Sequence, residues 1–134
     1  MSAERNEQLV RDFFNTLSTG DLEKVRPLLH KDATWSAMAE AIPGSGDHKG
    51  RDVIIDDFLG PVRGLFEDGD PKIEIRTVIG KGDLVAAETV GRGTLRNGKT
   101  YHNRYCWMIE IKDGLIYWLR EYMDSHHVMG LVGD

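Results

Sequence analysis

Cysteine is almost missing from this sequence: Cys106 stands alone. A single thiol can build neither an intrachain disulfide nor a cysteine zinc site, and Cys106 reads as a small strand filler rather than a nucleophile. Long apolar runs are missing too, so no stretch reaches the ~20 apolar residues of a membrane-spanning helix, and no membrane partner is expected. The opening MSAERNEQLV has neither the basic start nor the apolar stretch of a secretory leader, so a cytoplasmic location is expected. Lys and Arg number seventeen but are scattered, and the net charge is −5. That excludes the concentrated basic footprint of a nucleic-acid binder. Metal-ligand spacing is lacking as well. His126 and His127 are adjacent and cannot share one strand or helix face, His48 sits in a glycine-rich loop, and His30 falls at a helix end where the helix dipole favours it. No metal and no cofactor are expected.

What is present is one unit of 134 residues, without repeat, linker or low-complexity tract. Leu9, Val10, Phe13, Phe14 and Leu17 recur at helical spacing before Gly20, which predicts a helix over 4–18 with a left-handed C-cap. Asp21 then offers an N-cap to a short helix carrying Leu22, Val25, Leu28 and Leu29. A brief strand is expected over 33–39 around Trp35, and PGSGDHKG reads as loop. A third helix starts near Arg51 with Val53, Ile54, Phe58, Val62, Leu65 and Phe66 on one side, kinked or interrupted at Gly60-Pro61.

From Pro71 onward the period changes to alternation. Strands are expected over 72–79, 84–95, 100–111 and 115–123, joined at Gly80-Lys81-Gly82-Asp83, Arg96-Asn97-Gly98 and Lys112-Asp113-Gly114. Helices first and a meander after define an α+β domain with helices on one sheet face. On the 100–111 strand, Tyr101, Asn103, Tyr105, Trp107, Ile109 and Ile111 form the inward set. On the strand before it Val85, Ala87, Thr89, Gly91 and Gly93 match them, and small residues opposite large aromatics leave room. Glu88 and Arg92 then point outward, toward pairs with Arg104 and Arg120. The last strand divides into Tyr117, Leu119, Glu121 and Met123 against Trp118, Arg120, Tyr122 and Asp124. Alternation does not choose between these sets, and a bulge exchanges them. Within an apolar hollow, Asn103 is a candidate to orient a substrate carbonyl and Tyr105 to donate to a developing oxyanion. The plain alternative is that such aromatics are core and such an Asn serves neighbouring backbone.

LVRDFFNTLSTGDLEKVRPLLHKDATW at the start, HKGRDVI before the third helix and NRYCWMIEIKDGLIYWLREYMD near the end resemble the nuclear transport factor 2-like superfamily, in its SnoaL-like and ketosteroid isomerase-like branch. The resemblance covers nearly the whole chain. It implies a cone: three N-terminal helices packed on a strongly curved antiparallel sheet that encloses a pocket for a small apolar molecule. It also implies that Glu121 faces inward, where burial raises a carboxyl into the range of a general acid or base. The ketosteroid isomerase set, one Tyr and two Asp, falls on Phe13, Ala37 and Cys106 and is not reproduced. The limonene-epoxide hydrolase set falls on Glu121, Thr89, Gly91, Trp35 and Ala37, and of its acids only the Glu121 carboxylate survives. The SnoaL-type cyclases abstract a proton beside a carbonyl with one acidic residue, a chemistry compatible with Glu121.

The resulting expectation is a cofactor-independent acid/base enzyme with Glu121, Asn103 and Tyr105 catalytic, and Trp35, Phe13, Thr89, Trp107 and Met123 against the ligand. Two alternatives stand beside it. One is a non-catalytic binder with an aromatic wall of Trp35, Tyr105 and Trp107. The other is a dimerisation module whose outer face carries Cys106, Met108, Trp118 and Tyr122. A homodimer through that face is expected in each case.

Overall fold

Helix α1 (Ala3–Ser18) begins where Ser2 Oγ accepts the Arg5 amide proton at 3.1 Å, and it buries Val10, Phe13, Phe14 and Leu17. Gly20 takes a φ of 83° just beyond its end, the left-handed position that glycine occupies without a Cβ penalty. This computed structural model describes residues 2–132. Helix α2 (Leu22–Val25) is a single turn followed by a 3-10 turn at Arg26–Leu28. Arg26 ties this corner down through Glu23 at 2.8 Å, Asp52 at 2.6 Å and Asp56 at 2.8 Å.

Strand β1 (Leu29–Ala37) starts earlier than its pattern indicates, because Leu29 belongs to the core and not to the preceding turn. Inside the expected loop lies β2 (Gly46–Lys49), a short strand antiparallel to β1 with Trp35 opposite His48. The helical segment from Arg51 is π-helical over Val53–Leu59 and closes as α3 (Gly60–Arg63). Gly60-Pro61 does not interrupt it. The Gly60 N–H bonds the Ile55 carbonyl five residues back, and this wider turn relieves the crowding that Pro61 would cause in a regular α-helix.

The second half is the expected meander: β3 (Lys72–Lys81), β4 (Leu84–Thr94), β5 (Thr100–Lys112) and β6 (Leu115–Met123). The order across the curved sheet is β2-β1-β6-β5-β4-β3. It is not wholly antiparallel, since β1 runs parallel to β6, with Trp35 beside Leu119 and Ala37 beside Glu121. A further helix, α4 (Ser125–Val132), follows the last strand, so a C-terminal helix joins the three expected N-terminal ones.

Alternation holds along β5, where Tyr101, Asn103, Trp107, Ile109 and Ile111 are buried and Tyr105 half-buried. On β6 it breaks once. Glu110 pairs with Trp118 but Ile111 pairs with Ile116, so Tyr117 is an extra, bulged residue. Ile116 therefore takes the inward place expected of Tyr117, whose ring packs instead on His30 at 5.2 Å. Leu119 and Glu121 stay inside, as does the partly buried Met123. On the outer face Arg92 meets Glu74 of β3 at 3.4 Å rather than Arg104 or Arg120, which carry its own sign. Edge strand β3 is covered by α1, whose Ser18 hydroxyl and Glu7 carboxylate accept the amide protons of Ile73 and Gly80 at 2.8 and 2.9 Å. Among the described residues no helix is long and apolar enough to cross a membrane.

Candidate functional site

Between the sheet's inner face and the helices lie two adjoining hollows of about 120 and 80 Å³. Pro71, Val62, Tyr105 and Glu121 line both. A dry apolar cavity of about 150 Å³ holds one benzene ring, so this interior suits a molecule of one or two rings. The inner chamber is walled by Leu17, Trp35, Leu59, Ile73, Thr89 and Trp107. The outer one is closed by Ile42 and Pro43 from the loop after β1, Phe58 and Leu65 from the middle helices, and Val128 and Leu131 from α4.

Glu121 is 7% exposed and owes its inward position to the register of β6 beyond the bulge. Its neighbour in β1 is Ala37, whose methyl leaves room above the carboxyl. The Trp35 indole N–H donates to Glu121 Oε1 at 3.2 Å. Burial disfavours the charged form and pushes the Glu121 pKa up to about 7, the indole hydrogen bond offsetting part of that rise. A carboxyl titrating there holds either protonation state at neutral pH, which general acid/base chemistry requires.

The aromatic wall is itself held by hydrogen bonds. Trp107 stacks on Tyr105 at 5.5 Å, meets Trp35 edge-on at 5.4 Å and donates its indole N–H to Thr89 Oγ1 at 2.9 Å. The Tyr105 hydroxyl is hydrogen-bonded to the Tyr101 hydroxyl. Burial raises both phenol pKa values, and the nearby Glu121 adds to the rise, so both rings stay protonated at neutral pH. Arg63 also borders the inner chamber, donating to the Pro71 carbonyl at 3.2 Å. Burial works against its charge and Asp70 supports it.

Of the residues singled out from the sequence, Glu121 and Tyr105 line both chambers, Trp35, Thr89 and Trp107 the inner one, and Met123 the outer one. Phe13 lies behind Trp35, with ring centres 6.1 Å apart, and does not border either hollow. Asn103 is buried beside the outer chamber, bonded to Tyr101 and to the backbone of Asp124, without lining it. Cys106, matched above to a pocket Asp, is exposed on the opposite face of β5. Tyr101, Arg63 and α4 were missed as site elements. Tyr101 carried a signal, its place in the inward set four residues from Tyr105. No group of three or more His, Cys, Asp or Glu among the described residues is placed to hold a metal ion.

Similarity to known proteins agrees with this fold. Bal32a, from a soil-derived mobile gene cassette, superposes with a TM-score of 0.82 at 26% identity, over 94% of each chain. A Bacillus subtilis protein provisionally named an isomerase gives 0.83 at 23% identity, over 99% of this chain and 96% of that one. An LEH-like epoxide hydrolase of Mycobacterium tuberculosis gives 0.73 at 18% identity, over 96% of this chain and 89% of that one. A search of curated proteins finds no match. The profile of the SnoaL-like domain matches residues 10–119, and with that match and this architecture the chain belongs to the SnoaL-like family of the nuclear transport factor 2-like superfamily.

Proposed function

We propose that this protein is a cofactor-independent acid/base enzyme acting on a small, apolar, carbonyl-containing substrate, with Glu121 as the proton-transfer group. One observation carries the reading: a buried carboxyl, with one hydrogen-bond donor among the described residues, stands at the junction of two apolar chambers. Elsewhere in the core every charge-bearing group would be a cost without return, so a carboxyl kept there is a functional candidate. Two proteins of this fold are named as an isomerase and as an epoxide hydrolase, and an enzymatic reading of the pocket is in keeping with those names.

In the step envisaged, the Glu121 carboxylate removes a proton from the carbon beside the carbonyl. The C–H electron pair becomes the new C=C bond and the carbonyl π pair moves onto oxygen. Glu121, now protonated, returns its proton to the same carbon or to a conjugated one, which is exchange in the first case and isomerisation in the second.

Exchange needs no knowledge of the natural substrate. Cyclohexanone incubated with the protein in D₂O is expected to take up deuterium at its α-carbons, followed by NMR. The rate should rise with pH through about 7, the Glu121 pKa. Glu121→Gln should lower it at least about 100-fold, the lower end of the usual general-base contribution. Enzyme-accelerated exchange that survives this substitution sinks the assignment. Binding of cyclohexanone with no accelerated exchange favours instead a carrier with the same pocket.

A further inference from the structure

Of the described residues that line the two chambers, Glu121 and Arg63 alone bear a group that carries charge. Arg63 ends α3 and is half-buried. Its Nη2 donates to the Pro71 carbonyl at 3.2 Å and lies against the corner after α1, where a Cβ built on Gly20 would stand 3.5 Å from it. That contact uses one part of the guanidinium fork. Among the described residues no further acceptor, and no carboxylate within ion-pair reach, is placed for the rest. Asp70, the acid whose charge bears on Arg63, turns its Oδ2 to the Thr94 amide proton at 2.9 Å.

Other arginines of the chain are better provided for. Arg26 meets Glu23, Asp52 and Asp56, and Arg96 meets Asp68 at 2.7 Å. Arg63 has no such partner among the described residues, and burial works against its charge. A guanidinium half withdrawn from water at the edge of an apolar hollow is stabilised by any anion brought into that hollow. Its planar fork suits one anion best, a carboxylate held through two parallel N–H···O bonds.

We propose that Arg63 determines specificity by receiving a carboxylate carried by the ligand, so that the pocket takes small cyclic keto acids in preference to neutral ketones. This rests on the function proposed above and deepens it, because it names the substrate class. Glu121 borders both chambers and Arg63 only the inner one. The ligand therefore lies with its acidic carbon at the junction and its carboxylate directed into the inner chamber. Arg63 takes no part in the proton transfer. It decides which molecule is presented to Glu121.

4-Oxocyclohexanecarboxylate and 4-oxocyclohexanecarboxamide differ in charge and hardly in shape, so calorimetric titration with both reads the anion contact alone. At pH 6, below the Glu121 value of about 7, the Glu121 carboxyl is mostly protonated and does not repel the probe, while an ordinary carboxylic acid is ionised. Wild type should bind the carboxylate at least about tenfold more tightly, the lower end of what a hydrogen bond to a charged group contributes. Arg63→Met keeps the apolar stem without the charge, and the preference should vanish. Arg63→Lys keeps the charge without the fork and should retain part of it. Equal affinities in wild type overturn the inference without recourse to any variant. That is also the result expected if Arg63 serves only the carbonyl end of α1, whose last turn holds no basic residue. A preference that persists in Arg63→Met overturns it too, since the anion then binds elsewhere, and so does failure of wild type to bind either probe. Deuterium exchange into the carboxamide separates this inference from the base assignment. Glu121-dependent exchange without a carboxylate preference leaves the proposed function standing and removes Arg63 from it. An Arg63-dependent preference without Glu121-dependent exchange upholds the anion contact and removes the base.

Discussion

At the scale of single residues, Glu121 couples the site to stability. Its carboxyl titrates at about 7 in the fold against an ordinary 4.5, so between those values the native state holds a proton that the unfolded chain has released. Stability then falls as pH rises. Sign and window follow directly: the contribution is intact below about 4.5, is lost progressively up to about 7, and stays lost above. With each pKa unit worth about 1.4 kcal/mol, the full swing is roughly 3 kcal/mol. Glu121→Gln keeps an amide oxygen for the Trp35 indole but carries no charge. It should therefore be more stable than wild type at pH 8 by an amount of that order and nearly equal to it at pH 4.5. Chemical denaturation of both proteins at the two pH values measures this, and an equal difference at both would show that the carboxyl is not titrating inside the fold. A residue that costs stability at working pH yet sits in the pocket fits a trade of stability for chemistry.

At the scale of elements, the meander was legible because its signals are local. Alternation from Lys72 onward and turns at Asn97-Gly98 and Asp113-Gly114 place four strands, and positive φ at Gly98 (87°), Asp113 (55°) and Gly114 (74°) shows why those residues stand there. What escaped was non-local or weakly patterned. The parallel pairing of β1 with β6 depends on chain path, the single-residue bulge at Tyr117 leaves no composition signal, and β2 is four residues of Gly-Asp-His-Lys that only β1 makes into a strand. The site was legible to the same degree. Inward alternation on β5 gave Tyr105 and Trp107, whereas the inward side of Glu121 needed the family resemblance. Thr89 illustrates a contact between strands that fixes the wall. Its hydroxyl on β4 accepts the buried Trp107 indole proton from β5 at 2.9 Å. Thr89→Val keeps the shape but strands that donor, at a cost of about 1–3 kcal/mol. Thermal unfolding should show a melting temperature lower by several degrees. An unchanged melting temperature would mean that the indole finds another acceptor.

At the scale of the whole molecule, α4 walls the cavity without belonging to the main core. The main cluster joins α1, the middle helices and the sheet, from Val10 and Phe14 to Trp107 and Leu119, and contains no residue of α4. Leu131 instead joins a small satellite cluster with Phe66, Leu95 and Tyr101, where Val128 also packs. Polar ties also hold α4 there, among them the Asn97 amide donating to the Leu131 carbonyl at 3.3 Å and His127 Nε2 accepting the His102 amide proton at 3.0 Å. Truncation after Asp124 therefore removes the burial of one Leu, worth about 1.5–3 kcal/mol, and of part of a Val, while the main core stays intact. The shortened chain should still unfold cooperatively, with a lowered melting temperature. Its outer chamber, however, loses the wall made by Val128 and Leu131, and Asp124 loses the helix that steadies its hold on Asn103. Cyclohexanone affinity should drop by about tenfold or more, a larger proportional loss than the change in folding would explain. Calorimetric titration beside thermal unfolding separates the two effects. Full affinity in the truncated protein would remove α4 from the site, and loss of cooperative folding would place it in the core.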